Sequence, residues 1–154
     1  MEKTNVMRLL DVNNISYRPF EYDSSITNGE TVAMVLREDP DSVFKSLVCE
    51  NEKKEHFIFE VPVNKELNLK KAAKASGSKS IQMIKQKDLL PLTGYVHGGC
   101  SPIGLKKPMP VYIEETARLF DKITISAGKK GYQVELSPLD LANFLNATFA
   151  SLTD

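Results

Sequence analysis

Two cysteines, two histidines and no surplus of either charge leave few of the usual routes to function open in this chain of 154 residues. Cys49 and Cys100 lack CxxC spacing, and with only His56 and His97 beside them they make no convincing metal-ligand set. No metal and no cofactor is expected, and the thiols read as free cytosolic cysteines. Apolar residues never run to the roughly 20 that a membrane helix needs, and Met1-Glu2-Lys3-Thr4 opens no basic-then-apolar signal region. The expectation is therefore a cytoplasmic protein without a membrane partner. Repeats and linkers are absent too. One domain over residues 1–154 is expected, long enough to bury roughly two-thirds of its unfolded surface.

Lys and Arg balance Asp and Glu at 20 each, but the charges are unevenly placed. Between residues 65 and 87 the lysines at 65, 70, 71, 74, 79, 85 and 87 meet only Glu66. Acids gather earlier, at Glu21, Asp23, Glu30, Glu38, Asp39 and Asp41, and nothing basic follows Lys130. A basic patch on a neutral protein attracts a polyanion locally, as an enzyme acting on a nucleic acid end requires. Lys70, Lys71 and Lys74 also fit the solvated face of an ordinary helix.

The chain alternates short elements. Thr4 caps a helix to about Asn13 with Val6, Leu9 and Leu10 on one face, and Ile15–Tyr22 reads as a strand that Pro19 places at an edge or bend. A short helix over Glu30–Arg37 ends at Glu38-Asp39-Pro40-Asp41. Val43–Glu50 and His56–Val63 read as a hairpin with a charged tip, and alternation of Phe57, Phe59 and Val61 predicts one buried face. Asn68 caps a helix to Ala75 that Gly77 stops. Ser80–Ile84 is a predicted strand, Gln86–Leu90 a helical turn and Gly94–His97 a further strand. Val111–Glu114, Ile123–Ser126 and Tyr132–Leu136 suggest a meander, its last two strands joined by Ala127-Gly128-Lys129-Lys130-Gly131. Ser137-Pro138-Leu139-Asp140 opens a closing helix with Leu139, Leu141, Phe144 and Leu145 inward. The class is α+β: a mixed, largely antiparallel sheet curled into a partial barrel and flanked by helices.

The site-like stretch is Thr93-Gly94-Tyr95-Val96-His97-Gly98-Gly99-Cys100-Ser101-Pro102-Ile103-Gly104. Glycine reaches positive φ and lets a ligand approach bare N–H groups, which together make an oxyanion cradle. A glycine-rich turn without a ligand uses the same residues.

Four fragments in register, Phe44-Lys45-Ser46-Leu47, the stretch from Asn68 to Ala75, that from Thr93 to Gly104, and Ser126-Ala127-Gly128-Lys129-Lys130-Gly131, resemble the YbaK-type Cys-tRNA(Pro) deacylases. The resemblance runs from about Thr4 to Phe149. That family is similar to the editing domain inserted in bacterial prolyl-tRNA synthetases, which implies a barrel-like mixed sheet wrapped by helices. It also implies trans-editing of mischarged Cys-tRNA(Pro), with Cys-tRNA(Cys) as a further substrate. In the mechanism it implies, the cysteine thiol attacks its own ester carbonyl. Mischarged tRNA is the implied partner, through its acceptor end, with prolyl-tRNA synthetase as a second.

By the same resemblance Lys45 is the catalytic lysine. Gly98, Gly99 and Cys100 hold the carbonyl through their N–H groups, and Ser46, Ser101, Gly104 and Ser126 belong to the substrate pocket. Phe20 and Gln133 stand where family members often carry tyrosine and aspartate, and Cys100 where an aliphatic residue is common. Lys70, Lys71, Lys74, Lys129 and Lys130 are the expected tRNA contacts. Two other functions fit the sequence: hydrolytic editing of Ala-tRNA(Pro), and a non-catalytic tRNA- or nucleotide-binding module.

Overall fold

Local hydrogen bonds at the caps set most of the helices. In the computed structural model, which describes Met1–Asp154, the Thr4 hydroxyl accepts from Met7 N–H and starts α1 (Asn5–Val12), which buries Val6, Met7 and Leu10. Asn28 caps α2 (Gly29–Val35) and Asn68 caps α3 (Leu69–Ser76), which Gly77 closes at a left-handed φ of 66°. Ser137 caps α5 (Pro138–Leu145), with proline at its first position. Leu141 and Ala142 carry that helix's buried face, whereas Leu139, expected inward, is 62% exposed. It sits in the first turn, on the side that faces water.

The strands are β1 (Tyr17–Glu21), β2 (Phe44–Asn51), β3 (His56–Pro62), β4 (Ile81–Met83), β5 (Val111–Glu114), β6 (Ile123–Ser126), β7 (Tyr132–Leu136) and β8 (Thr148–Ala150). They form two sheets, ordered β1-β7-β6 and β4-β2-β3-β5-β8. The first is antiparallel throughout, with Pro19 on its edge strand β1. In the second, the β2–β3 hairpin is antiparallel, while β5 runs parallel to both β3 and β8. The expected meander therefore covers only β6 and β7. A parallel bridge from Val43 to Thr124 joins the two sheets into a partial barrel that does not close.

Gly94–His97 is not a strand. The helical turn expected at residues 86–90 continues instead into α4 (Leu89–Thr93), which Gly94 ends at φ 82°. Tyr95 then donates its hydroxyl to Ile103 C=O, closing the glycine stretch into a self-contained loop with no strand to pair against.

The main core of 18 buried residues includes Val6 and Leu10 of α1, Ile58 of β3, Ile113 of β5, Ile125 of β6, Val134 of β7 and Leu141 of α5. A second cluster lies between α3 and the same five-stranded sheet, built on Phe57, Phe59 and Val61 with Ala72 and Ala73. Strand β3 is thus buried on both faces, not one, and Glu60 is carried fully inside with it.

Candidate functional site

A cavity of about 470 Å³ opens along the free edge of β2, within the size range of small-molecule sites. Its walls include β2 from Phe44 to Val48, the start of α2 with Asn28 and Gly29, the segment from Met83 to Leu89, the glycine loop with His97, Gly98 and Cys100, and the β6–β7 hairpin with Ser126 and Gln133. Lys45 lines it half-buried and takes part in none of the four ion pairs of the protein. A cation held beside an apolar-rich cavity without a counterion suits an anionic or oxyanionic ligand, because the protein itself supplies no opposite charge to offset its desolvation.

The glycines do less than the sequence suggests and do it differently. Gly98 lines the cavity at φ 89°, and a Cβ there would meet Thr27 at 3.1 Å. Gly99 is buried outside the lining; its N–H donates to Val96 C=O at 3.0 Å, and a Cβ would meet Lys130 N at 3.1 Å. The expected Gly99 donor is therefore committed to a turn, and the residue is small because the 127–131 turn packs on it. Ser101 is fully buried, with its hydroxyl accepting from Ile103 N–H at 3.2 Å, and Gly104 lies against Tyr95 and Leu9; neither lines the cavity. Both stabilise the loop from behind.

Phe20 is also outside the lining, half-buried with the Arg18 guanidinium over its ring at 4.8 Å. Tyr22, two residues on, supplies the phenol: Gln133 Nε2 donates to its hydroxyl at 3.2 Å, and both residues line the cavity. That bond orients the amide, and Gln133 Oε1 is left buried without a partner. Tyr22 and Gln133 thus form a polar pair on the wall, and the extended run read over Ile15–Tyr22 is the signal that points to Tyr22, since residues two apart in such a run share a face. Ser126 lines the cavity too, with its hydroxyl accepting from Gly128 N–H at 3.1 Å.

Cys100 lines the cavity, and its thiol is pushed up to about 12 by burial, then by the charge of Glu60, with Thr93 acting the other way. It stays neutral, as a wall residue does and an activated nucleophile does not. No group of three or more His, Cys, Asp or Glu side chains is arranged to hold a metal ion, and no helix is long and apolar enough to cross a membrane.

None of the five expected tRNA-contacting lysines lines the cavity. Lys70 and Lys74 are exposed on α3, whereas Lys71 Nζ donates to Thr153 C=O at 2.6 Å and ties down the C-terminal segment. Lys129 pairs with Glu2 on the surface. Lys130 is exposed and stands beside the cavity, its Cε 3.6 Å from where a Gly98 Cβ would be.

Residues 23–144 match the family model of the aminoacyl-tRNA editing domain. The chain is 41% identical over 154 residues to a protein of Enterococcus faecalis named as a candidate Cys-tRNA(Pro)/Cys-tRNA(Cys) deacylase, EbsC, covering 99% of this chain and 94% of that protein. YwhH of Bacillus subtilis, an uncharacterized protein, is 24% identical over 124 residues, covering 80% of this chain and 78% of its own. A solved structure described as a candidate trans-editing enzyme for prolyl-tRNA synthetase superposes with a TM-score of 0.85 at 22% identity, covering 100% of this chain and 99% of that one. The hypothetical protein APE2540 superposes at 0.90 with 18% identity, covering 98% and 100%. At such identities the two structures speak for the fold.

Proposed function

The chain belongs to the aminoacyl-tRNA editing domain family, and from that premise we propose that it is a trans-editing deacylase, one domain over residues 1–154, that clears cysteine from mischarged tRNA(Pro) and from tRNA(Cys). The observation that carries this reading is Lys45, a cation without a counterion on the wall of a cavity that also presents Gly98, Cys100 and Gln133. Cysteine and proline are close in bulk, so a synthetase pocket rejects one from the other poorly, and a second site has to remove the wrong product.

The wall offers no activated nucleophile of its own. No serine or cysteine there has a histidine–acid pair to activate it. The family resemblance implies the substrate's own thiol as the nucleophile in place of one from the wall: its sulfur bonds to the ester carbonyl carbon, the bond to the tRNA 3′-terminal oxygen breaks, and the thiol proton ends on that oxygen. The products are a cyclic thiolactone and free tRNA. Lys45 stabilises the negative charge that grows on the carbonyl oxygen or positions the terminal nucleotide. Gln133 Oε1 accepts from a donor of the substrate, as a neutral amide where the family often has a carboxylate. Lys70, Lys74 and Lys130 contact acceptor-end phosphates, and the reaction takes place in the cytoplasm beside prolyl-tRNA synthetase.

A panel of Cys-, Ala- and Ser-charged tRNA(Pro) with Cys-tRNA(Cys) tests the reading. Discharge of the Cys esters, with S-alkylated Cys-tRNA(Pro) resistant, is the expected result. Equal discharge of the alkylated ester makes water the nucleophile, preference for Ala-tRNA(Pro) replaces the substrate, and binding without discharge of any ester replaces the enzyme with a binding module.

A further inference from the structure

The hydrogen-bond phase of β2 turns the main chain of one residue of the cavity wall toward an edge on which no strand pairs with it in register. Val63 N–H donates to Val43 C=O at 2.8 Å and Asn51 N–H to Glu55 C=O at 3.0 Å. With Lys45 opposite Val61 and Leu47 opposite Phe59, the odd-numbered residues of β2 are therefore those that exchange bonds with β3. In an antiparallel ladder the residues between them turn N–H and C=O to the other edge. On that edge Val48 C=O is taken by Ile84 N–H at 3.2 Å, and β4 pairs only from Cys49 to Asn51. At the other end of the strand stands the bridge from Val43 to Thr124. Ser46 lies between the two, at the cavity, and no strand pairs with it in register on that side. Ser46 is half-buried, and its Oγ is closed off from solvent without a hydrogen-bond partner.

We infer that Ser46 receives the aminoacyl group as a missing strand residue: its N–H donates to the ester carbonyl and its C=O accepts from the α-ammonium. This rests on the editing reading above. An aminoacyl ester carries an N–H donor and a C=O acceptor on one residue, the same pair that two opposed residues exchange in an antiparallel ladder. Uncharged tRNA has neither group, so the edge distinguishes charged from free acceptor ends without reading the side chain. The N–H bond strengthens as the carbonyl oxygen gains charge on attack, which places Ser46 in the role that Gly99, committed to its turn, does not fill. Lys45, next in the chain, adds the full charge.

Residue-resolved hydrogen exchange of the whole protein tests this, with 3′-(L-cysteinylamino)-3′-deoxyadenosine as an amide-linked probe that is not cleaved. In the free protein Ser46 N–H exchanges about a hundredfold faster than the flanking Lys45 and Leu47 N–H groups that β3 holds. Saturating probe slows Ser46 about tenfold or more, and the probe lacking its α-amino group binds about tenfold more weakly. A backbone ester in place of the Ser46 amide, introduced by semisynthesis, removes the N–H and keeps the side chain. It lowers discharge of Cys-tRNA(Pro) by about a hundredfold to a thousandfold without unfolding the protein. Probe binding, followed by Lys45 signals, with Ser46 unprotected overturns this inference alone. Absence of any probe binding overturns the editing reading and this inference with it.

Discussion

Glu60 should make this protein lose stability as pH rises through neutrality. It is fully buried on β3, opposite Ser46 and beside Ile113, and neither carboxyl oxygen has a hydrogen-bond partner. It joins no ion pair; burial dominates and carries its pKa from an ordinary 4.5 to about 8, with the Ser46 hydroxyl across the strand acting weakly the other way. The folded state then holds a proton that the unfolded state releases between those two values, so stability falls as pH rises through that window. By linkage the cost is about 3 kcal/mol at pH 7, and it grows by about 4 kcal/mol from pH 5 to pH 9. Glu60→Gln keeps the shape and cannot ionise. Urea unfolding of both proteins at pH 5, 7 and 9 should show similar stability at the acid end, with the variant ahead by a margin that widens toward alkali. Parallel curves would mean that Glu60 has a counterion or solvent contact that keeps its pKa ordinary.

The remaining expectations concern the cavity and the surface. Tyr22→Phe removes the acceptor that orients the Gln133 amide; it should cost about 1 kcal/mol in unfolding and raise KM more than it lowers kcat, and an unchanged KM would separate Gln133 from binding. Cys100→Ala should discharge Cys-tRNA at close to the normal rate, and Cys100 should resist iodoacetamide at pH 8, since a thiol raised to about 12 is almost wholly protonated there; rapid alkylation would contradict its burial. Replacing Lys70, Lys74 and Lys130 with glutamate should weaken tRNA binding and flatten its salt dependence while the fold stays intact, and an unchanged salt slope would remove them from the interface.

The caps were legible because each is a hydrogen bond within three or four residues: Thr4, Asn68 and Ser137 all act as their sequence context says. The partial barrel was legible in class, but not in strand order, because the parallel run of β5 between β3 and β8 depends on contacts far apart in sequence. Glu60 breaks the reading of β3 as a one-faced strand: in a period of two a glutamate marks the wet face, and only the two clusters packed on either side of the sheet make that face dry. Lys45 on β2 and Gly98 in the loop were both placed at the cavity, while Gly99, Ser101 and Gly104 serve the loop's own packing. A glycine required by a neighbouring backbone and one required by a ligand look the same in a sequence. So do a free lysine and Lys71, whose partner at Thr153 lies at the far end of the chain.

Single-turnover discharge of Cys-tRNA(Pro) by the natural protein and by Lys45→Ala, with circular dichroism and unfolding curves to match their folds, decides whether this cavity is where the ester is cleaved. Lys45 forms no ion pair, so its loss should leave stability within about 0.5 kcal/mol and lower discharge by about a hundredfold or more. Lys45→Arg should recover only part of that loss, since the planar guanidinium keeps the charge but not the compact ammonium. A folded Lys45→Ala protein that discharges Cys-tRNA(Pro) at the natural rate would remove Lys45, and the cavity it lines, from the chemistry.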